Sequence, residues 1–155
     1  MRILALDVGT KTIGVAVSDE LGIAAHGVTT IKRTELKRDI EALRKIINQY
    51  NPSEILVGVP YNIDGTVGKR GQDILKFAEN IKKAFTLPIE FCDESFSTVD
   101  AERILIEADV GRRKRKRVID KMAAVFILEG YLERKRRELG ARIQNPGEEK
   151  KTSDS

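Results

Sequence analysis

One cysteine and one histidine are all that this 155-residue chain carries of the residues that make disulfides and zinc centres. Cys92 cannot close a disulfide within the chain, and with His26 as its only companion the usual Cys/His zinc set cannot be assembled from one copy. Long apolar runs are missing too. The stretch from Met122 to Leu128 is far short of the roughly 20 residues a membrane helix needs, and no apolar segment with a cleavage site opens the chain. A cytoplasmic location without a membrane partner is expected. An overwhelming charge of one sign is also absent, since the net charge is only +4.

What is present suits one domain of common size: 41% hydrophobic residues to build a core and 34% charged residues to cover it. The basic residues are unevenly spread. They crowd into Arg112-Arg113-Lys114-Arg115-Lys116-Arg117 and Arg134-Lys135-Arg136-Arg137, and clusters of like charge in sequence point to a polyanionic partner such as nucleic acid.

The opening Ile3-Leu4-Ala5-Leu6-Asp7-Val8 is apolar apart from one acid and is bounded by turn residues, which reads as a strand buried on both faces. Burying a charge costs several kcal/mol unless it is paired or binds a metal, so Asp7 is the first candidate for chemistry. Ile13 to Ser18 gives a second strand in which Gly14 clears space for a close-approaching ligand or backbone. Gly22 to Ile31 completes an antiparallel meander. Thr34 is placed to cap a helix whose apolar positions run from Leu36 to Tyr50, and Asn51-Pro52 ends it. Residues 54–60 form a buried strand, and an Asp64-Gly65 turn leads to a helix with Ile74, Phe77, Ala78, Ile81, Ala84 and Phe85 on one face. Pro88 to Cys92 is a further strand.

Ser97 and Asp100 form a capping-box pattern opening a helix that Gly111 stops. The basic run then leads into a last helix from about Val118 to Glu138, whose middle is apolar all round and so is expected to be covered. The organisation is a domain over residues 1–138 and a flexible polar tail over 139–155. The order of elements predicts an α/β fold: a mixed sheet with an antiparallel edge and helices on both faces.

Three carboxylates stand out. Asp7 ends the first strand, Glu94 follows the strand at Cys92, and Asp120 lies one turn before the apolar centre of the last helix. Ligands in open α/β sheets bind beyond the carboxyl ends of strands, so Asp7 and Glu94 converge there if their strands are neighbours. Ala123 and Ala124 share a helical face with Asp120 and are small enough to let that face approach the sheet. Clustered carboxylates repel, and hard divalent cations relieve the repulsion, so Mg2+ or Mn2+ is the expected occupant. Two ions roughly 3.5 to 4 Å apart suit hydrolysis of a phosphodiester.

The segments Asp7-Val-Gly-Thr-Lys-Thr-Ile-Gly14-Val-Ala-Val-Ser-Asp19, Val57-Gly58-Val-Pro-Tyr-Asn62-Ile-Asp64-Gly65-Thr66, Asp93-Glu94 and Asp120-Lys-Met-Ala123-Ala124 resemble, in order and spacing, the motifs of the YqgF family. That family is also called RuvX and is known as a Holliday junction resolvase family. The resemblance covers residues 1 to about 135. It implies a ribonuclease-H-like fold with a five-stranded sheet, and a bacterial nuclease that processes the 5′ end of pre-16S ribosomal RNA, or alternatively one that cleaves Holliday junctions. It places the catalytic and metal-binding acids at Asp7, Glu94 and Asp120. Lys11, Asn62, Lys69 and Arg70 are expected to meet substrate near the acids, and Arg112, Arg113, Arg115 and Arg117 to hold the nucleic-acid backbone.

The chain departs from the family where Thr12 and Ser95 stand in place of arginines, and loss of the second removes a planar phosphate contact. A non-catalytic nucleic-acid-binding factor in ribosome assembly or transcription is therefore the rival reading. Asp-x-Gly-Thr-Lys also resembles the first phosphate loop of the actin and sugar kinase superfamily, but those proteins bind ATP between two such domains. Junction cleavage requires two active sites and hence a homodimer, and the sequence leaves monomer and homodimer both open.

Overall fold

The computed structural model describes residues 1–94, 103, 106, 107 and 111–144; the side chains of residues 115–121 and 141–144 lie outside that description. In chain order the described elements are β1 (Ile3–Val8), β2 (Thr12–Ser18), β3 (Ala25–Lys32), α1 (Leu36–Tyr50), β4 (Glu54–Val59), α2 (Lys69–Ala84), β5 (Ile89–Asp93) and α3 (Arg112–Gln144). The five described strands form one sheet in the order β3-β2-β1-β4-β5. The first three strands are the expected antiparallel meander, while β1 pairs β4 and β4 pairs β5 in parallel.

Alternation along the strands sorts the core into two layers. Leu4, Leu6 and Val8 of β1, with Ile55, Val57 and Val59 of β4, pack under α1 and α2 through Leu43, Ile46, Ile74, Phe77 and Ile81. Ile3, Ala5, Ala16, Leu56 and Cys92 face the other way, against Ala124, Val125, Ile127, Leu128 and Leu132 of α3. Strand β1 is thus central and covered on both faces, as its apolar composition requires. Among the described residues, no helix is long and apolar enough to cross a membrane.

Local chemistry corrects several expectations. Thr34 does not cap α1; the capping position is Glu35, without a side-chain bond, and the buried Asp39 reaches back to accept the Thr34 backbone N–H at 3.1 Å. Asn51 does end that helix, in the left-handed conformation with φ 49°, its N–H donating to Ile47. The basic run at 112–117 forms the first turns of α3, which therefore starts before Val118 and continues past Glu138 to Gln144. The centre of α3 is not covered all round, because Met122 stays 39% exposed while Ala124 and Leu128 are buried. Of the helix expected from Ser97, the described residues 103, 106 and 107 are helical and the rest lies outside the description, as does the last part of the tail, 145–155.

Candidate nuclease site at the carboxyl edge of the sheet

Asp7 is the second-last residue of β1 and belongs by alternation to the α3 face of the sheet. Its antiparallel partner on β2 is Gly14. On the other side β1 runs beside β4 with Leu6 paired to Val57, so Asp7 and Gly58 each follow a paired residue. The acid therefore lies in a trough with a glycine on either flank. A Cβ added at Gly14 would meet the Asp7 Cβ at 3.6 Å and the Ala124 Cβ at 3.7 Å, so these small residues are what let α3 come down close to Asp7.

Glu94 directly follows β5. Strand β4 lies between β1 and β5, so the strands of the two acids are not neighbours as the simplest convergence required. They meet across Gly58 instead. A Cβ there would stand 3.5 Å from the Glu94 Cβ and 2.7 Å from Ile127 Cδ1, so the missing side chain makes room for Ile127 of α3 to settle beside Glu94. Gly58 is the site residue that the sequence reading did not single out. The signal available was its place inside an otherwise apolar buried strand, where glycine marks close approach.

Asp7 Oδ1 and Glu94 Oε2 are both shielded from solvent. Burial pushes the Glu94 carboxyl above its ordinary range and the negative charge of Asp7 pushes it further, while Arg70 opposes both. The Arg70 guanidinium, at the start of α2, donates to Glu94 Oε1 at 3.1 Å. Arg70 was expected on substrate phosphate; here it is tied to the acid. Two mutually repelling, half-dry carboxylates with no thiolate or imidazole between them form a donor set that fits a hard divalent cation. Among the described residues no group of three potential metal ligands is assembled. The third expected ligand, Asp120, is in α3 four residues before Ala124, and its side chain lies outside the described residues.

The remaining expected contacts are dispersed. Lys11 is exposed in the β1–β2 turn, which is closed by Gly9 N–H to the Thr12 carbonyl at 2.8 Å and braced by Arg33, whose guanidinium donates to the Gly9 carbonyl at 2.6 Å. Asn62 uses its amide within its own loop, donating to Thr66 Oγ1 at 2.9 Å. Lys69 is exposed at the first position of α2, and Arg112 and Arg113 are exposed in the first turn of α3. Arg115 and Arg117 lie on the same helix with side chains outside the described set.

A family model described as "RuvX: Holliday junction resolvase" matches residues 1–134. The chain belongs to the RuvX family. Its relatives bear the name "Putative pre-16S rRNA nuclease": one from Thermoanaerobacter pseudethanolicus is 54% identical over 134 residues, covering 86% of this chain and 96% of the relative. Another, from Clostridioides difficile, is 54% identical over 132 residues, covering 85% and 94%. Among solved structures, T. thermophilus RuvC in complex with a Holliday junction substrate aligns with a TM-score of 0.52 at 11% identity, covering 82% of this chain and 91% of that one. That likeness concerns the fold, and it bears out the ribonuclease-H-like sheet of this RuvX chain.

Proposed function

We propose that this RuvX chain is a metal-dependent nuclease that processes the 5′ end of pre-16S ribosomal RNA, with Asp7, Glu94 and Asp120 as its metal-binding acids. The observation that carries the reading is the pair of carboxylates coupled across Gly58 at the carboxyl edge of the sheet. Membership of the RuvX family supports the nuclease class, and the names of its relatives favour the RNA substrate.

Asp7 and Glu94 would hold Mg2+ or Mn2+, and Asp120 would complete the set. When bound, such ions supply activation of water and stabilisation of the leaving oxygen, with two ions serving both ends of the displaced bond. Around them the chain's own groups have separate tasks. Arg70 holds the Glu94 carboxylate in place through a charge-assisted bond and keeps it more readily ionised than burial alone would. Gly14 and Ala124 keep bulk away from Asp7, and Gly58 makes room for Ile127 beside Glu94. Lys11 and Lys69 stand on one side of the edge and Arg112, Arg113, Arg115 and Arg117 on α3, where they grip phosphates flanking the cut. Asn62 presents its loop to the strand. The chain works in the cytoplasm, on nucleic acid.

The test is cleavage of an RNA carrying the 5′ flank of 16S ribosomal RNA beside a four-way DNA junction, with Mg2+, Mn2+ or chelator, for wild type and Asp7→Asn. Metal-dependent RNA cleavage lost in the variant is the expected result. Cleavage of the junction alone would move the function to a resolvase and require a homodimer. RNA binding with no cleavage under any metal would mean a binding factor.

A further inference from the structure

On the sheet face opposite the Asp7–Glu94 row, the described residues enclose a cleft of about 840 Å³. Val8 at the end of β1 and Ile74 of α2 lie at its base, almost fully buried. Leu36, at the start of α1 and 45% exposed, forms a wall. The rim is cationic, with Lys69, Lys76, Arg33 and Arg70 lining it against two acids, Asp39 and Asp73. Asp39 is taken up by Arg33 at 3.6 Å and Arg70 by Glu94 at 3.1 Å, which leaves two lysines, Lys69 and Lys76, against Asp73 and an excess of one positive charge.

Two connections tie this cleft to the catalytic edge. Its lip is the backbone of Gly9 and Thr10, which begins two residues after Asp7. Arg70 belongs to both places, lining the cleft while donating to Glu94. An exposed apolar wall at Leu36 facing free lysines is poorly matched to a bare anion, which needs no wall, and to a purely apolar ligand, which needs no cations. It suits a nucleotide, whose ribose and base rest against Leu36 while the phosphate meets lysine. The volume falls within the range of small-molecule sites.

We infer that this cleft is a nucleotide subsite: it holds the part of the substrate strand adjoining the scissile phosphate after that strand has crossed the Gly9–Thr10 turn. The strand therefore passes over the carboxyl edge of the sheet, from the α3 face to the α1–α2 face, instead of lying along one face. The position relative to the cut rests on the nuclease reading; the binding itself does not.

The experiment is fluorescence anisotropy of a labelled single-stranded RNA octamer with the intact chain in chelator, where turnover cannot intervene. Lys69→Gln combined with Lys76→Gln removes two exposed rim charges. The expected result is about tenfold weaker binding at 0.1 M salt, with the slope of log K against log salt shallower by about 1.4, as two lost single-strand phosphate contacts require. Lys37→Gln with Lys45→Gln makes the same charge change outside the cleft, on another lining of α1, and is expected to alter affinity less than twofold. Equal losses in both pairs, or none in the first, overturn the subsite. The octamer is also expected to shift the amide resonances of Gly9, Thr10 and Leu36 in the wild-type protein, and unshifted resonances overturn it as well. If wild type binds through the cleft yet never cleaves, the nuclease reading fails alone; if it cleaves and the cleft pair is silent, the subsite fails alone.

Discussion

Gly58→Ala tests whether the gap between the two acid-bearing strands is built as described. The new Cβ would stand 2.7 Å from Ile127 Cδ1, 3.4 Å from its Cγ1 and 3.5 Å from the Glu94 Cβ. Carbon pairs rest at about 3.5 to 4.0 Å, so Ile127 must give roughly 1 Å. Ile127 is only 2% exposed and cannot swing into water. Overpacking of this kind costs about 1 to 3 kcal/mol, while replacing a strand glycine returns about 0.5 to 1 kcal/mol of backbone entropy. The net expectation is a loss of about 1 kcal/mol, or about 2 to 4 °C in Tm for a chain of this length. Ile127→Val alone also costs about 1 kcal/mol, through its missing methyl. That methyl is the atom in the clash, so the double variant is expected to be no worse than either single one. Chemical denaturation of the four proteins measures this, with a coupling of about 1 kcal/mol expected. Simple additivity, at about 2 kcal/mol lost, would refute the packing argument. Cleavage should fall in Gly58→Ala with or without Ile127→Val, since the methyl beside Glu94 remains in both.

Asp7→Asn is expected to abolish metal-dependent cleavage by at least about a hundredfold, the equivalent of several kcal/mol of lost metal-ion catalysis, and yet to raise Tm at pH 7 without metal, because the Asp7 charge disfavours ionised Glu94. Because the folded-state pKa of Glu94 lies above its ordinary value, mainly through burial, its contribution to stability is full below the unfolded pKa. That contribution is lost as pH rises through the raised folded value, and a wild-type Tm that failed to show this gain on acidification, relative to Glu94→Gln, would count against the assignment. Arg70→Gln removes the group that lowers the Glu94 pKa, so the acid limb of the pH–rate profile should move to higher pH; an unmoved limb would mean that another group sets it. Burial pushes the Cys92 thiol up to about 11, so iodoacetamide at pH 8 should leave the native protein unmodified and label it only once it is unfolded.

Much of the fold was legible because its signals are local. The apolar run around Asp7, the spacing of Ile74, Phe77 and Ile81, and the Asn51 stop each declare an element through its own period or turn chemistry. Asp7 stood out as a candidate for a related reason, since a carboxylate in an apolar strand is conspicuous, whereas Glu94 and Asp120 were singled out by their places at a strand end and on a helix together with the family resemblance. What escaped is set by strand order and by distant partners. That β4 would separate β1 from β5 is a property of the assembled sheet, and only then does Gly58 become the gap between two acids. Thr34 looked like a cap because hydroxyl residues favour that position, but the buried Asp39–Arg33 pair took over the backbone N–H. The basic run read as an approach to a helix because six like charges repel; α3 includes it nonetheless, with its hold on the sheet at Ala124, Val125 and Leu128 further along.

That arrangement gives α3 the character of a lever. Its 33 residues span about 50 Å, fastened to the sheet near the middle by small and branched side chains, with an arm of positive charge at its N-terminal end and Asp120 between arm and fulcrum in the sequence. Tension on the arm from a nucleic acid is delivered, without a hinge of glycine or proline in between, to the backbone that carries Asp120. On the nuclease reading proposed above, grip and chemistry are then not separately adjustable: any change that tilts the helix to seize a different strand also displaces an acid.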